Sequence, residues 1–216
     1  MFILNLLQSP LDFIAVLVGF MVIGITVHEF AHAWVANKFG DPTAKMEGRV
    51  SLNPLAHLDP VGTIMFLIIG FGWGKPVPTN PHYLRHRQDE LKVAIAGIVA
   101  NLLVATLLAI PLRIAMLKGI IIDSEPLLAF LKKIVEINVL LAAFNILPIP
   151  PLDGSHFIEY FLDNEGRYNF QRIGQYVFIG IIMLGFLSGY SLISLIMEPI
   201  MRVMLFFVSG LPLSPL

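Results

Sequence analysis

The chain has 216 residues, of which 56% are hydrophobic and only 13% charged, with a mean hydropathy of +0.80. Soluble domains carry about a quarter charged residues, so this composition excludes an ordinary soluble protein and points to an integral membrane one. A formal net charge of -1 supplies no electrostatic footprint for nucleic acid, and the absence of cysteine excludes disulfides and thiolate metal sites, leaving His, Asp and Glu as strong ligands.

The first predicted element is an apolar helix over residues 11–37. It is too long for a signal peptide, lacks a basic leading region and so reads as retained structure. Inside it stands His28-Glu29-Phe30-Ala31-His32. A strongly polar group at the middle of a bilayer costs about 2.5–3.5 kcal/mol on insertion scales, so such residues need a partner or a task. On a helix, His28 and His32 project from one face, one turn apart. Two imidazoles so placed can hold one Zn2+ at about 2.0–2.1 Å, with the neighbouring Glu29 as base toward a water, the HExxH arrangement of zinc-dependent hydrolysis. Two readings are open here, metal ligands or two polar-paired histidines of a helix bundle. The lipid setting favours the first, because unpaired polar groups are costly there.

From Thr43 to Leu52 polar and apolar or small residues alternate without a break, which predicts a half-buried strand. An exposed strand edge there could capture an unwound substrate segment by β-augmentation; the alternative is a hairpin packed over the site. The apolar segment at 61–71 is too short for the roughly 20 residues a span requires and reads as a short or re-entrant piece. Lys75 to Pro81 carries three prolines and can be only extended edge or loop. His57, between Pro54 and Pro60, reads as a loop residue, and His82 and His86 fall in a basic, solvated stretch.

Further apolar helices are predicted at 93–113, 127–147, 172–188 and 191–208. Lys132, Lys133 and Glu136 occupy the first half of the 127–147 segment, the lysines reaching toward the interface and Glu136 facing protein. Lys38, Lys45, Arg49, Lys75, Arg85, Arg87 and Lys92 concentrate between the first two full spans, which places that region in the cytoplasm and the N-terminus outside. The 127–147 helix then ends on the side of the C-terminal half of the HExxH helix. Pro148, Pro150 and Pro151 stop it and hold the following chain stiff, with Gly154 allowing a sharp turn directly after Asp153. Asp153 either completes a set of two histidines and one carboxylate, leaving a fourth tetrahedral position open as in catalytic zinc sites, or caps the helix beginning near Ser155. His156 is placed to hydrogen-bond behind the metal site. Without internal repeat or long linker, residues 1–216 read as one membrane-embedded domain. The expected fold is mainly α, a polytopic membrane helical bundle of about 4–6 membrane segments, with a small β-strand or hairpin element between the first two full spans.

HEFAH at 28–32 followed by NILPIPPLDG at 145–154, both in membrane helices, resembles the site-2 protease family of intramembrane zinc metalloproteases. The resemblance extends through LNPLAHLDPVGTIMF at 52–66, GKPVPTNP at 74–81 and AGIVANL at 96–102 and covers most of the chain, on the pattern of the small bacterial and archaeal members. It implies His28, His32 and Asp153 as ligands of one Zn2+ per chain and Glu29 as general base. It also implies Asn101 and Asn145 as donors to a substrate carbonyl or developing oxyanion, where they do not simply join helices. Ile98 stands where the family has proline, a departure that removes no chemical group. The implied partner is a transmembrane protein substrate within membrane lipid, cut near the cytoplasmic face by a multi-pass protein of a prokaryotic cell membrane, with no nucleic acid involved. No Gly-x-Ser-Gly or Gly-x-Gly-Asp of the serine or aspartyl intramembrane proteases is present. A divalent-metal permease and a non-catalytic scaffold are the competing classes. Convergence of the metal-ligating candidates at one depth weighs against the first, and the presence of Glu29 with all three ligands against the second.

Overall fold

A computed structural model describes residues 10–188 and 192–210. Helix α1 (Pro10–Lys38) is followed by a single turn, α2 (Thr43–Met46), and a short helix, α3 (Pro60–Ile69). Then come α4 (Gln88–Leu117), α5 (Pro126–Asn145), the short α6 (Ser155–Glu159), α7 (Asn164–Ser188) and α8 (Leu192–Ser209). The chain is mainly helical, and the predicted apolar segments fall within these helices to a few residues; position 191, the predicted start of the last one, lies outside the described residues. Among the described residues α1 and α4 are long and apolar enough to cross a membrane.

Helix α5 is the hub of the bundle. Its Val135 and Val139 pack on Ala105, Ala109 and Leu112 of α4 and on Leu205 and Val208 of α8. Ile137 turns to Val16, Phe20, Met21 and Ile25 of α1 and Phe66 of α3. Ala143 joins Leu147 and Leu152 against Met197 and Met201 of α8. Fully buried alanines such as Ala105 and Ala109 let the helix backbones approach closely. Lys132 pairs with Asp123 at 2.9 Å in the connection before α5, and Lys133 with Glu136 at 3.7 Å, which meets the polar demands of its first half.

The middle of α1, Val18–Ile25, is wound as a π-helix, a geometry that recurs at functional sites, and regular winding resumes at Thr26 just before the HExxH residues. Helix α3 starts with Asp59 accepting from the Gly62 amide at 2.8 Å and stops at Gly70, whose φ is +72°. Its 10 residues reach about 15 Å, half the hydrocarbon thickness, as the short segment at 61–71 requires. Phe66 stacks on Phe20 at 4.3 Å, seating α3 against α1.

The expected strand at 43–52 does not form, and among the described residues there is no sheet or hairpin; the pairing present is an isolated antiparallel bridge between Leu58 and Gly74. Local capping defeats the alternation. The Asp41 carboxylate accepts from the Thr43 amide at 2.9 Å and starts a helical turn, and Gly48, at φ +69°, closes it so that the Arg49 amide bonds back to Ala44 O at 2.8 Å. Residues 75–80 form a loop without regular secondary structure, one of the two forms their prolines allow, and Lys75 N–H donates to His57 O at 2.7 Å.

Candidate metal centre

His28 and His32 leave the same face of α1, and the loop after α5 brings Asp153 to them. Asp153 Oδ2 lies 3.1 Å from His28 Nε2 and 3.3 Å from His32 Nε2, and the two Nε2 atoms are 3.0 Å apart. Both histidines are buried.

The outer nitrogens settle the tautomers. Asn101 Nδ2 donates to Gly24 O and to Asn138 Oδ1, each at 3.1 Å, so Asn101 Oδ1 is the acceptor facing His28 Nδ1 at 2.7 Å. His32 Nδ1 meets the Val93 carbonyl at 2.7 Å, which can only accept. With both Nδ1 atoms protonated, each neutral ring presents an Nε2 lone pair inward. Asp153 Oδ2 is buried and has no hydrogen-bond partner. With the rings neutral, three lone pairs converge on one point, an arrangement that a cation would satisfy. Ligands bound tetrahedrally to zinc at about 2.0–2.1 Å stand about 3.3 Å apart, close to the separations observed. The donor set fits zinc.

Asp153 reaches this place through the end of α5. The Gly154 amide bonds to Asn145 O at 2.7 Å, and the position needs glycine because a Cβ would sit 2.2 Å from Ile146 O; its φ of -59° is ordinary. Gly154 is thus required by close approach and not by an unusual backbone angle. The alternative role of Asp153 as a helix cap is not realised, since α6 has no side-chain cap. Gly97 does the same service on α4: a Cβ there would lie 2.4 Å from His32 Nε2 and 2.5 Å from His28 Cε1, so a glycine in an apolar helix is what admits the imidazole pair.

Glu29 stands beside the histidines, its Oε2 accepting from the Val77 amide at 3.1 Å. With His28, His32 and Asp153 it opens on a cavity of about 780 Å³ that continues between Phe144, Phe178 and Met201. Asn145 also faces this cavity, its Nδ2 donating to Leu141 O at 2.9 Å. Asn101 differs from the expected donor to substrate: it is fully buried, both its amide hydrogens are engaged, and its oxygen orients His28. It joins α1, α4 and α5. Val93, Gly97 and Asn138, which complete the setting of the histidines, were not anticipated from the sequence; the signals available were a glycine and a second asparagine inside apolar helices.

His156 lines the cavity and pairs through Nδ1 with Glu159 at 3.4 Å. Hydrogen bonding to Glu159 raises the His156 pKa against the effect of burial. Burial pushes Glu159 up, but bonds from His156, Gln171 and Ser155 outweigh it and hold the carboxyl below its ordinary value. His57 is a loop residue but a fully buried one, its Nε2 at 2.7 Å from Ser51 O; His82 and His86 are exposed.

Comparison with known proteins gives the same direction. The model of peptidase family M50 matches residues 109–187. YwhC of Bacillus subtilis, whose name assigns it to the zinc metalloproteases, is 39% identical over 182 residues, covering 82% of this chain and 83% of its own. Two mycobacterial proteins of the same designation, both called Rip2, are 31% identical (Mycolicibacterium smegmatis) and 28% identical (Mycobacterium tuberculosis); each alignment covers 80% of this chain and 66% of the relative. No solved structure matches the chain.

Proposed function

The chain belongs to peptidase family M50, the site-2 protease family, and from that premise we propose that it is an intramembrane zinc endopeptidase hydrolysing peptide bonds in transmembrane segments of membrane-protein substrates. The observation that carries the reading is the convergence of the His28, His32 and Asp153 lone pairs on one point, with Glu29 beside it.

His28, His32 and Asp153 would hold the ion, and Glu29 is placed to take the proton of the attacking water. When bound, zinc supplies Lewis-acid polarisation of water and of the scissile carbonyl. The proton on Glu29 is then available to the departing amine. Asn145, facing the cavity, donates to the substrate. Asn101 acts at one remove, by fixing the ring of His28.

Substrate enters unwound, because a helical peptide bond is shielded by its own hydrogen bonds. Pro76, Val77 and Thr79 border the cavity that such a segment would enter. Residues 1–216 act as one membrane-embedded domain of several spans in a prokaryotic cell membrane, surrounded by lipid. The basic residues between α1 and α4 put the site toward the cytoplasm.

The reading is tested with the full chain reconstituted in liposomes, a labelled transmembrane peptide and metal analysis. Glu29→Gln should retain one zinc per chain and lose cleavage; a variant that cuts at the wild-type rate removes Glu29 from the chemistry.

A further inference from the structure

The carboxylate of Glu29 is held from outside its own helix. Val77 N–H donates to Oε2 at 3.1 Å, and among the described residues Oε1 has no hydrogen bond. The peptide plane that carries this N–H also carries the Pro76 carbonyl, which accepts from Arg49 Nη1 at 3.1 Å. Arg49 Nη2 donates to the neighbouring Lys75 carbonyl.

Arg49 is only 3% exposed, and among the described residues no carboxylate lies within ion-pair distance of it. A buried cation without an anion is costly. Here the compensating charge is one peptide away: guanidinium on the carbonyl end, carboxylate on the N–H end. Both ends of the Pro76–Val77 dipole are satisfied by the charge they favour, and hydrogen bonds in such a chain polarise one another. Two further anchors stop the segment from drifting: Lys75 N–H on His57 O at 2.7 Å, and Asn80 N–H on Asp41 Oδ2 at 2.6 Å.

We propose that Arg49 is a positioning residue for the general base, fixing one oxygen of Glu29 through the Pro76–Val77 peptide and leaving the other free to meet the attacking water. A carboxylate that swings loses the orientation on which proton transfer depends, and a misplacement of about 1 Å in a catalytic group can cost on the order of 100-fold in rate. This inference rests on the reading of Glu29 as base.

The test uses the full zinc-loaded chain with the Arg49→Gln and Val77→Pro variants. Residue 77 precedes Pro78 and is already biased to extended backbone, so proline there removes the N–H while sparing the guanidinium. Both variants should keep one zinc and a wild-type KM while kcat falls about 10- to 100-fold. A raised KM with unchanged kcat would instead make Arg49 a substrate-binding residue and overturn the proposal. In a Glu29→Asp background, where the carboxylate is already displaced, Arg49→Gln should add little, whereas losses that multiply would show that Arg49 acts independently of Glu29.

A second measurement needs no turnover. In zinc-free protein the Val77 amide should exchange slowly with deuterium in wild type and quickly in both Glu29→Ala and Arg49→Gln. Unchanged exchange in Arg49→Gln overturns the relay. If Glu29→Gln cleaves normally, it is the base assignment that has failed, and the exchange result still reports on the latch by itself.

Discussion

His28 Nδ1 and Asn101 Oδ1 are 2.7 Å apart, and this contact between α1 and α4 decides which nitrogen of His28 faces the metal centre. Asn101 can act only as acceptor there, since its two amide hydrogens are committed to Gly24 O and Asn138 Oδ1. Asn101→Leu removes the acceptor and leaves His28 free to turn or to change tautomer. Losing a partner of this kind weakens zinc binding by about 10- to 100-fold, which competition with a chelator of known affinity would measure. An unchanged affinity would reduce Asn101 to a bridge between helices.

Gly97→Ala is the sharpest steric probe of the site. The added Cβ would stand 2.4 Å from His32 Nε2, so either α4 withdraws from α1 or the ring rotates away. Overpacking of this kind costs about 1–3 kcal/mol, and here the strain falls on a ligand atom. The variant should lose zinc in metal analysis and show a lower Tm in detergent. Gly180→Ala is the control: nothing lies within 4 Å of a Cβ there, and alanine has the higher helix propensity, so zinc content and Tm should hold.

The HExxH helix and the carboxylate turn were legible because their chemistry is local. Helical spacing puts His28 over His32, and the prolines after Leu147 end α5 where Asp153 must emerge. The strand expected at 43–52 failed for an equally physical reason. Period-two alternation reports which faces could be apolar, but the Asp41 carboxylate bonded to the Thr43 amide and the positive φ of Gly48 wind the segment into a turn. That turn carries Arg49 inward to the 75–76 carbonyls, a tertiary contact that no local pattern encodes. Asn101 was legible as a polar residue needing a partner. Which partner depends on the packing of α1 on α4, and so does the need for Gly97.

The His156–Glu159 pair sets a pH window for stability. Glu159 raises the His156 pKa above its ordinary 6.5, so that part of the stabilisation is fully present below 6.5 and is lost as pH rises through the raised value. The Glu159 carboxyl is held below its ordinary 4.5, so its part is present above 4.5 and is lost as pH falls through the lowered value. The Tm difference between wild type and Glu159→Gln should therefore be largest between about pH 4.5 and 6.5 and shrink on either side. The half-exposed His156 ring keeps the effect small. A difference that is flat across this range would mean that the buried Glu159 serves Ser155 and Gln171 alone.

Removing the metal should cost stability, and replacing Asp153 should reverse part of that cost. Zinc binds the folded site and stabilises it by mass action, about 2.7 kcal/mol when free zinc is 100 times its Kd, so a chelator should lower Tm in detergent. Asp153→Asn has a weaker oxygen ligand and should lose most of the zinc-dependent rise. Its zinc-free form behaves differently, because the amide can donate a hydrogen to His28 Nε2 or His32 Nε2, where the carboxylate offers only another lone pair at 3.1 and 3.3 Å. Zinc-free Asp153→Asn should thus melt at or above zinc-free wild type, although it binds the ion poorly. The opposite order, with the asparagine variant the less stable in chelator, would mean that a shared proton, and not three crowded lone pairs, is what the ion displaces.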